Sequence, residues 1–496
     1  MRASCVFQKL KLSSSLQVRW VTSKPQFKLK DEVENAIVEE KIKPRKHPGI
    51  IKNKLITLPD WIVQAMDERF DDADRTDIYK QRKIFQNYLF SRRLPLEKHE
   101  LQEQYLSIEK KILQNKINDQ STEEEIEEMR KVIQGQVKHK LKEHVFAWKP
   151  INYDKHRSLL YMIARSTAEY SVLHRIFEEI KIRDPHFDPH TMFDFGSGVG
   201  SVLWAANTHW KNINEYLGID ISNDMNDLSE KIMSYSPKKI KALLYRQYLP
   251  VSNLKHDIIV SAYSLMDLPD TKNRLDVISK LWRKTSKYLV IVEQGTNAGF
   301  KLVNEARDFV KYMTTKYDVN SDYFTFAPCP HELSCPRFIE GKTPCNFLAH
   351  YHGLRLVGPS SPQTELYSYI VFKKGERSEN DNWHRLVRPT IIRSKHTRCQ
   401  LCTSNGKLEQ VVFTASKYGK PLYQCARVSS WGDRLPADLI NQDDQSNSTE
   451  EQKLNPTLSE DDTNCESVED KVEDTSKKEK LIYSEAPVFT KTNENL

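Results

Sequence analysis

The 496-residue chain carries 75 lysine and arginine residues against 68 aspartate and glutamate residues, a formal net charge of +7. It contains no uninterrupted apolar run near the roughly 20 residues that a membrane-spanning helix requires, so we expect no membrane span. Residues 1–30 hold seven basic residues and no acidic one, which accounts for the whole net charge. Such an opening, with serines and apolar residues between the basic ones, is typical of a mitochondrial presequence, which we expect at residues 1–23. A basic tail without a targeting role is the alternative.

Residues 24–150 are charged and rich in helix-forming residues, which predicts a helical N-terminal region. Apolar residues recur at spacings of three and four over 101–112 and again over 126–141, as expected for two amphipathic helices. Thr122 and Glu125 have the spacing of a capping box ahead of the second helix. We therefore expect a helical hairpin that packs on the main domain or on a partner and carries no chemistry.

Residues 151–375 alternate between helical segments and short apolar runs, beginning with a helix over 157–182. A strand ending near residue 195 is followed by predicted strands at 215–220, 241–248, 256–265, 287–295, 353–359 and 366–374. This alternation is typical of a parallel sheet with crossover helices, so we predict a doubly wound, Rossmann-like α/β domain. We expect the last two strands to form an antiparallel pair at the end of the sheet.

The sequence MFDFGSGVGS at 192–201 predicts the end of a buried strand, a tight turn and the start of a helix. Glycines at alternate positions allow positive φ and let a ligand lie against the backbone, while a helix N-terminus presents free N–H groups. The third glycine of a dinucleotide fingerprint would fall on Ser201, so that fingerprint is not matched. We expect a different nucleotide-like cofactor here.

The glycine pattern resembles motif I of the class I S-adenosylmethionine-dependent methyltransferases. In that family the acid and the glycine backbone hold the methionine part of the cofactor, and an acid ending the second strand accepts the ribose hydroxyls. Asp220 stands at that second position, where two charged oxygens suit a vicinal diol. The residues that the resemblance assigns to S-adenosylmethionine are Asp194, Gly196, Ser197, Gly198, Gly200 and Asp220.

We assign no catalytic residue for methyl transfer. Methylation at cytosine C5 needs a thiolate nucleophile, and no cysteine lies between Cys5 and Cys329. Related enzymes that methylate an exocyclic amine use an acid or amide, two prolines and an aromatic residue after strand four. The corresponding residues here are Ser-Ala-Tyr-Ser at 261–264, which supply neither an acid nor an amide.

Residues 326–347 contain Cys329, Cys335 and Cys345 beside four prolines, which predicts a metal site in an insertion into the domain. A fourth ligand could come from Cys399 or Cys402 in the segment that follows the domain. Three widely spaced thiolates favour an iron–sulfur cluster, while zinc with His331 as a further ligand is the alternative.

Residues 376–436 form a small basic unit in which 408–415 and 421–428 flank the turn SKYGK, a pattern typical of a hairpin. Aromatic residues interleaved with basic ones suggest phosphate contacts and stacking surfaces for RNA. The basic residues are Arg388, Arg393, Lys395, His396, Arg398, Lys407, Lys417, Lys420, Arg427 and Arg434, and the aromatic ones are Tyr418, Tyr423 and Trp431. Residues 437–496 are acidic and almost free of aromatic residues, which predicts a disordered tail.

Four blocks together resemble the mitochondrial methyltransferase-like protein 17 family, whose members associate with the small ribosomal subunit. The blocks are FDFGSGVGS, VEQGTNAGF at 292–300, PCPHELSCPR with Cys345 following, and YQCARVSSWGD at 423–433. The resemblance covers about 150–436 and implies a class I methyltransferase-like fold with a cluster insertion and a basic C-terminal unit.

The same resemblance implies a mitochondrial matrix protein that binds the assembling small ribosomal subunit through its RNA and supports mitochondrial translation. We expect its partners to be rRNA and ribosomal proteins, and we expect it to be a monomer when bound. It further implies a 4Fe–4S cluster on four cysteines, of which the first three fall on Cys329, Cys335 and Cys345. The position of Gly406 places the fourth at Cys402, with Cys399 as the alternative. We therefore predict an assembly factor on a repurposed cofactor-binding fold, with an active S-adenosylmethionine-dependent rRNA methyltransferase as the competing hypothesis.

Overall fold

The computed structural model describes residues 25–68, 75–116, 122–144, 150–252, 254–317, 322–354 and 361–440. The predicted presequence and the predicted tail from residue 441 onward lie outside these residues. The first four residues of the predicted tail, Ala437–Ile440, form a strand. None of the helices in the described ranges is long and apolar enough to cross a membrane.

The N-terminal region contains five helices and two short strands within its described parts. In chain order they are β1 (Gln26–Leu29), α1 (Asp31–Val38), β2 (Leu55–Ile56), α2 (Asp60–Asp67), α3 (Arg75–Ser91), α4 (Lys98–Gln114) and α5 (Glu123–His144). Helices α4 and α5 pack as the predicted hairpin around buried Ile112, Ile133 and Val137. The capping box is also present, since the Thr122 N–H donates to Glu125 Oε2 at 3.0 Å and the Glu125 N–H donates to Thr122 Oγ1 at 3.4 Å.

The central domain alternates helices and strands around one large sheet. Its elements are α6 (Lys155–Arg183), β3 (Thr191–Phe195), α7 (Ser201–His209), β4 (Glu215–Ile219), α8 (Asn223–Met233), β5 (Ala242–Arg246), β6 (His256–Ala262), α9 (Thr271–Lys284), β7 (Thr285–Gln294), α10 (Asn297–Tyr317), β8 (Tyr323–Ala327), α11 (Pro336–Glu340), β9 (Phe347–His352) and β10 (Pro362–Lys374). Strands β5, β4, β3, β6 and β7 lie side by side in that order and run parallel, and β10 adds antiparallel to β7.

Helices cover both faces of this sheet, as a doubly wound fold requires. One core contains Phe177 of α6, Trp204 of α7 and Ile232 of α8, while the other contains Leu281 of α9 and Val310 of α10. These side chains are fully or almost fully buried because the β-branched and apolar strands present both faces to helices. The predicted class I methyltransferase-like arrangement is confirmed.

Of the strand predicted at 353–359, the described residues 353 and 354 lie outside any strand. Its place beside β10 is shared by two strands, because β8 pairs with residues 371–374 of β10 and β9 pairs with residues 362–367. Residues 355–360 lie outside the described part of the chain. The cysteine-rich segment therefore interrupts the sixth strand position itself and leaves the sheet at its edge.

The C-terminal unit is a second, smaller sheet with two helices. Its elements are β11 (His384–Leu386), β12 (Ile391–Ile392), β13 (Thr397–Cys402), β14 (Leu408–Phe413), α12 (Ala415–Tyr418), α13 (Lys420–Val428), β15 (Arg434–Leu435) and β16 (Ala437–Ile440). The predicted hairpin of 408–415 with 421–428 is wrong, since β14 pairs with β13 and the second segment is helix α13. Pro421 in the first turn suits a helix start, and Leu422, Cys425 and Ala426 bury one helical face.

Strand β1 and helix α1 belong to this C-terminal unit, although the sequence grouped them with the N-terminal helices. Strand β1 pairs antiparallel with β16, from Gln26 opposite Ile440 to Leu29 opposite Ala437. Phe27 and Val33 pack in the same core as Leu422. Both ends of the described chain thus build one unit beside the central domain.

Candidate functional site

The glycine turn after β3 adopts the left-handed backbone that its sequence predicted. Gly196, Gly198 and Gly200 have φ angles of +72°, +48° and +92°. A Cβ on Gly196 would lie 2.4 Å from Cβ of Ser264, and one on Gly200 would lie 2.5 Å from Oγ of Ser229. A Cβ on Gly198 would meet no atom within 4 Å. Two of the glycines are thus required by packing, while Gly198 borders open space.

That open space is a cavity of about 340 Å³ at the carboxyl ends of the parallel strands. Gly196 and Gly198 line it together with residues that follow β4, β5 and β6. Its volume falls within the range of small-molecule sites, and it lies where the strand order reverses between β3 and β6. Its other walls are formed mainly by Tyr153, Tyr161, Phe195, Ile219, Ile221, Met225, Tyr248, Leu249, Tyr263 and Leu268.

Asp220 lies on the cavity wall directly after β4, at the position that the sequence assigned to it. Its Oδ2 accepts the Gly198 N–H at 3.0 Å and its Oδ1 accepts the Ser222 N–H at 2.9 Å. Burial raises the pKa of this carboxyl, and the two backbone donors oppose that rise. Each oxygen keeps a further lone pair, so the side chain retains the capacity to accept a ligand hydroxyl.

Asp194, Ser197 and Gly200 do not line the cavity but support the loop from beneath. Asp194 is fully buried, accepts the Tyr216 hydroxyl at 2.9 Å through Oδ2, and has a pKa that burial raises to about 8. The N–H groups of Gly196 and Ser197 donate to the Ile219 carbonyl at 2.7 and 2.9 Å. Asp194, the acid of the glycine motif, therefore bonds within the protein and does not face the cavity.

The segment after β6 supplies no acid or amide at the predicted catalytic position. Tyr263 has a positive φ of +56°, and its ring lies 5.2 Å from the guanidinium of Arg165. The carboxylates that line the cavity are Asp220 and Asp267, and Asp267 forms an ion pair of 2.6 Å with Arg92. Sequence reasoning missed both members of this pair because 175 positions separate them.

Four cysteines come together at the edge of the sheet, three from the insertion and one from the C-terminal unit. Burial raises the pKa of Cys402 well above its usual range, and Cys329, Cys345 and Cys335 raise it further by their proximity. Burial also raises the pKa of Cys329 to about 11. Across the described ranges, no three His, Cys, Asp or Glu side chains are grouped tightly enough to hold a single metal ion. We call Cys329, Cys335, Cys345 and Cys402 the four-thiol group.

The structure places Cys402, and not Cys399, with the insertion cysteines. The two residues are three positions apart on β13, so their side chains point to opposite faces of the strand. Cys399 lies in the core of the C-terminal unit with Cys425, its Sγ 3.7 Å from the Ala426 carbonyl oxygen. Cys402 faces the insertion, where its Sγ is 3.4 Å from Nε2 of His331.

Two arginines, Arg307 and Arg385, lie near Cys329 of the four-thiol group, and no sequence pattern predicted them. Burial disfavours the charge of Arg307, but Cys329, Asp308 and Cys335 outweigh that effect and raise its pKa. Arg307 also donates to the carbonyl of Leu333 in the insertion. A positive side chain in this position suits thiolates or an anionic cluster.

Direct contacts also join the insertion to the C-terminal unit. Arg337 donates to Gln400 Oε1 at 2.9 Å, and Arg385 donates through Nε to the Pro328 carbonyl at 2.9 Å. Each of these two bonds joins one residue of the insertion to one residue of the C-terminal sheet. The orientation of the unit is thus set where the cysteines meet.

Glu179 of α6 fixes the same unit to the central domain. Its carboxylate accepts from Arg385 at 2.6 Å, from Arg183 at 2.8 Å and from the Tyr369 hydroxyl at 2.9 Å. Burial alone would raise the pKa of Glu179, but Arg385 and Arg183 outweigh it and lower the pKa to about 2. This buried carboxylate joins α6, β10 and β11.

Most of the predicted RNA-contacting cations are at the surface of the C-terminal unit. The exposed ones are Arg393, Lys395, Arg398, Lys407, Lys417 and Lys420. His396 and Arg427 are half-buried, and Arg388 is half-buried with its guanidinium 5.3 Å from the centre of the Trp431 ring. Tyr418 and Tyr423 are also half-buried. We call the six exposed residues the basic face.

Arg434 does not belong to the basic face, contrary to the prediction. It is only 4% exposed, and its guanidinium lies 4.8 Å from the centre of the Trp383 ring. It also donates to the Asn380 carbonyl. Arg434 lies on β15, the edge strand that pairs with β11, and its contacts with Trp383 and Asn380 keep it away from solvent.

Residues 155–436 match the sequence model of the family described as mitochondrial small ribosomal subunit Rsm22. The chain belongs to this family. It is also 37% identical over 399 residues to the human mitochondrial ribosome assembly protein METTL17, a match that covers 79% of this chain and 85% of the human protein. The predicted family resemblance is confirmed, and this is a mitochondrial protein homologous to a ribosome assembly protein.

More distant similarities extend to fission yeast and to bacterial enzymes. Two Rsm22-cox11 tandem proteins of Schizosaccharomyces pombe are 26% identical over 325 residues, which cover 56% of this chain and 43% of theirs. The chain thus spans less than half of the tandem proteins. Solved structures include the plantazolicin methyltransferase BpumL, with a TM-score of 0.29, 12% identity, and coverage of 56% of this chain and 99% of that enzyme. The magnesium protoporphyrin IX methyltransferase of Synechocystis has a TM-score of 0.28 with 11% identity, and covers 49% and 97%.

Proposed function

We propose that this protein is an assembly factor of the mitochondrial small ribosomal subunit that acts in the matrix, binds rRNA and supports mitochondrial translation. The observation that carries the proposal is the docking of a C-terminal unit with exposed cations onto the insertion, at the point where the four thiols meet. Six exposed basic residues on one small unit supply phosphate contacts, and these account for most of the affinity of a nucleic-acid-binding surface. Membership of the family described as mitochondrial small ribosomal subunit Rsm22 supports rRNA as the nucleic acid.

The four-thiol group is the proposed site of a 4Fe–4S cluster. The donor set fits, since four cysteines converge from two chain segments and iron–sulfur clusters are held by thiolates. Arg307 and Arg385 lie close enough to Cys329 to oppose the rise in its pKa that burial causes, and their positive charge suits an anionic cluster. Such a cluster would supply a covalent link between the insertion and β13, and so fix the basic face relative to the central domain.

The cavity is the proposed site of S-adenosylmethionine. Gly196 and Gly198 leave the backbone accessible, Asp220 presents a carboxylate on the wall, and the remaining walls are mostly apolar. These are the features of a site for a ligand with a ribose and an aromatic base. In the assembly-factor hypothesis the cofactor stabilises the fold and transfers no methyl group.

The structural role of the cluster is tested by Cys335→Ser in full-length protein, with Cys425→Ser as the matched control. Cys425 is a buried cysteine of the C-terminal core that lies outside the four-thiol group. In sucrose gradients of mitochondrial lysate, Cys335→Ser should lose co-sedimentation with the small subunit, while Cys425→Ser should keep it. Normal sedimentation of Cys335→Ser would show that the cluster does not position the RNA-binding unit.

The identity of the metal is tested on protein purified without oxygen. A 4Fe–4S protein is brown and absorbs in the visible, and it should contain about four irons per chain. A colourless protein loaded with zinc would overturn the assignment. In that case His331, whose Nε2 is 3.4 Å from Cys402 Sγ, is the further candidate ligand.

An active rRNA methyltransferase is the second candidate function, and the intact cavity is the observation that favours it. The experiment replaces Asp220 by Ala, a change on the cavity wall that leaves the buried Asp194 in place. If methyl transfer is the function, both rRNA methylation and mitochondrial translation should fail. Normal translation with a protein that no longer binds S-adenosylmethionine would exclude it.

A further inference from the structure

The side of the cavity where a methyl acceptor would have to enter is occupied by the chain itself. In the methyltransferases that this fold resembles, the residues that act on the methyl acceptor follow the strand equivalent to β6. The corresponding segment here is 263–268. Arg92, directly after helix α3, reaches this segment and forms the 2.6 Å ion pair with Asp267. The Arg92 side chain is only 7% exposed, while Asp267, which lines the cavity, is 31% exposed.

A second contact holds the end of α3 against the central domain. The ring of Phe90 lies 5.0 Å from the Arg165 guanidinium, and the ring of Tyr263 lies 5.2 Å from it. Arg165 is itself fixed, because its Nη2 donates to Glu365 at 2.8 Å. The chain before Arg92 is therefore packed on the same residues that follow β6.

A third contact anchors the chain after Arg92. Glu97 Oε1 accepts the Thr271 N–H at 2.8 Å and the Thr271 hydroxyl at 2.6 Å, and Arg274 adds an ion pair at 3.3 Å. Leu94 packs against the core that contains α9 and α10. Arg92 is thus held from both sides, by Phe90 before it and by Leu94 and Glu97 after it.

Little space remains between this segment and the strand ends. The cavity bounded by Leu89, Arg92, Arg165, Met266 and Glu293 has a volume of about 20 Å³. A cavity needs about 10–15 Å³ on this measure to hold one water molecule, so this one has room for a single water. A nucleic-acid base does not fit there, whereas the neighbouring cavity of about 340 Å³ stays open.

From these contacts we infer that residues 89–97 form a built-in plug that closes the acceptor side of the cavity. The plug leaves room for an S-adenosyl ligand but not for a nucleic-acid base as methyl acceptor. The inference rests on the proposed cofactor site and extends it: the ligand is held as a structural group because its methyl side faces protein. Arg92 and Asp267 are positioning residues in this arrangement, and neither has a role in chemistry.

Ligand size provides the test. The ligands are S-adenosylhomocysteine and an S-adenosyl sulfonium analogue that carries a benzyl group in place of the methyl group. Wild-type protein should bind the benzyl analogue at least about tenfold more weakly than S-adenosylhomocysteine, and Arg92→Ala should remove most of that difference. Arg93→Ala is the matched control, because Arg93 is the exposed neighbour and should leave the difference unchanged.

Hydrogen exchange supplies a readout that needs no ligand. The backbone amides of 263–268 should exchange faster in Arg92→Ala than in wild type or Arg93→Ala, since removal of the ion pair opens this segment. If Arg92→Ala does not fold, Arg92→Met keeps an apolar stem in place of the charged side chain and carries the same test. Equal binding of both ligands by wild type, or unchanged exchange in the folded variant, would overturn the plug. Failure of wild type to bind S-adenosylhomocysteine would instead refute the proposed cofactor site, and exchange would still decide on the plug.

Discussion

Glu179→Gln should destabilise the protein strongly, because this carboxylate neutralises two buried arginines that come from different parts of the chain. Its pKa of about 2 compares with 4.5 for an unperturbed glutamate. Each unit of difference in pKa between the folded and unfolded states is worth about 1.4 kcal/mol, so the ionised carboxylate contributes about 3 kcal/mol of stability at neutral pH. Removing one partner of a buried ion pair costs about 3–5 kcal/mol in other proteins, a range that includes this value.

The sign of the pH dependence follows from the lowered pKa. Stability from Glu179 is fully present above pH 4.5 and is lost as the pH falls toward 2, because the unfolded state then binds a proton that the folded state, with two arginines beside Glu179, does not bind. The difference between wild type and Glu179→Gln should therefore be constant from pH 7 to about 5 and shrink below that. Urea unfolding, followed by circular dichroism at each pH, measures it.

Glu178→Gln is the matched control for this experiment. Glu178 is adjacent in sequence but pairs with Lys54, which is 57% exposed, at 3.0 Å. A pair with one solvated member contributes about 0–1 kcal/mol, so the control should unfold close to wild type. A loss below about 1 kcal/mol in Glu179→Gln, or a loss that does not diminish in acid, would refute the assignment of Glu179 as an ionised centre between the units.

The remaining predictions concern the thiols, the glycine turn and the basic face. Cys402→Ser should lose the iron of anaerobically purified protein while Cys399→Ser should keep it, as iron analysis will show, since the two side chains lie on opposite faces of β13. Gly200→Ala should unfold at lower urea than Gly198→Ala, because only the former places a Cβ 2.5 Å from a neighbouring hydroxyl. Gly198→Ala should instead weaken S-adenosylhomocysteine binding in calorimetry, since its Cβ enters the cavity. Arg398→Glu should weaken RNA binding in filter assays and flatten its salt dependence, with a slope reduced by about 1 or 2.

The alternation of strands and helices in the central domain could be predicted from sequence because each element carries its own periodicity. The runs at 215–220 and 287–295 are short, apolar and β-branched, and they form β4 and β7. The glycine turn is equally local, since positive φ at Gly196 and Gly200 is a property of a few consecutive residues. Asp220 was placed correctly because its position is counted from the end of a strand.

Local patterns failed where pairing partners are distant in the chain. Residues 421–428 look like half of a hairpin, but Pro421 starts a helix and the true partner of β14 is β13. The choice between Cys399 and Cys402 stayed open for the same reason, because only a strand at 397–402 separates them by face. The contacts of Glu179 with Arg385 and of Arg92 with Asp267 span about 200 residues and leave no periodic signal.

The interrupted sixth strand explains why the proposed cofactor and the proposed cluster do not compete for the same part of the fold. The insertion leaves the sheet between β8 and β9, and both strands lie beyond β10, toward the edge where β2 pairs with β9. Asp220 follows β4, which is separated from that edge by β3, β6, β7 and β10. At about 4.8 Å between neighbouring strands, the two sites are about 24 Å apart across the sheet. A ligand at Asp220 and a cluster at the thiols therefore act on different surfaces, and the central sheet serves as the rigid connection between them.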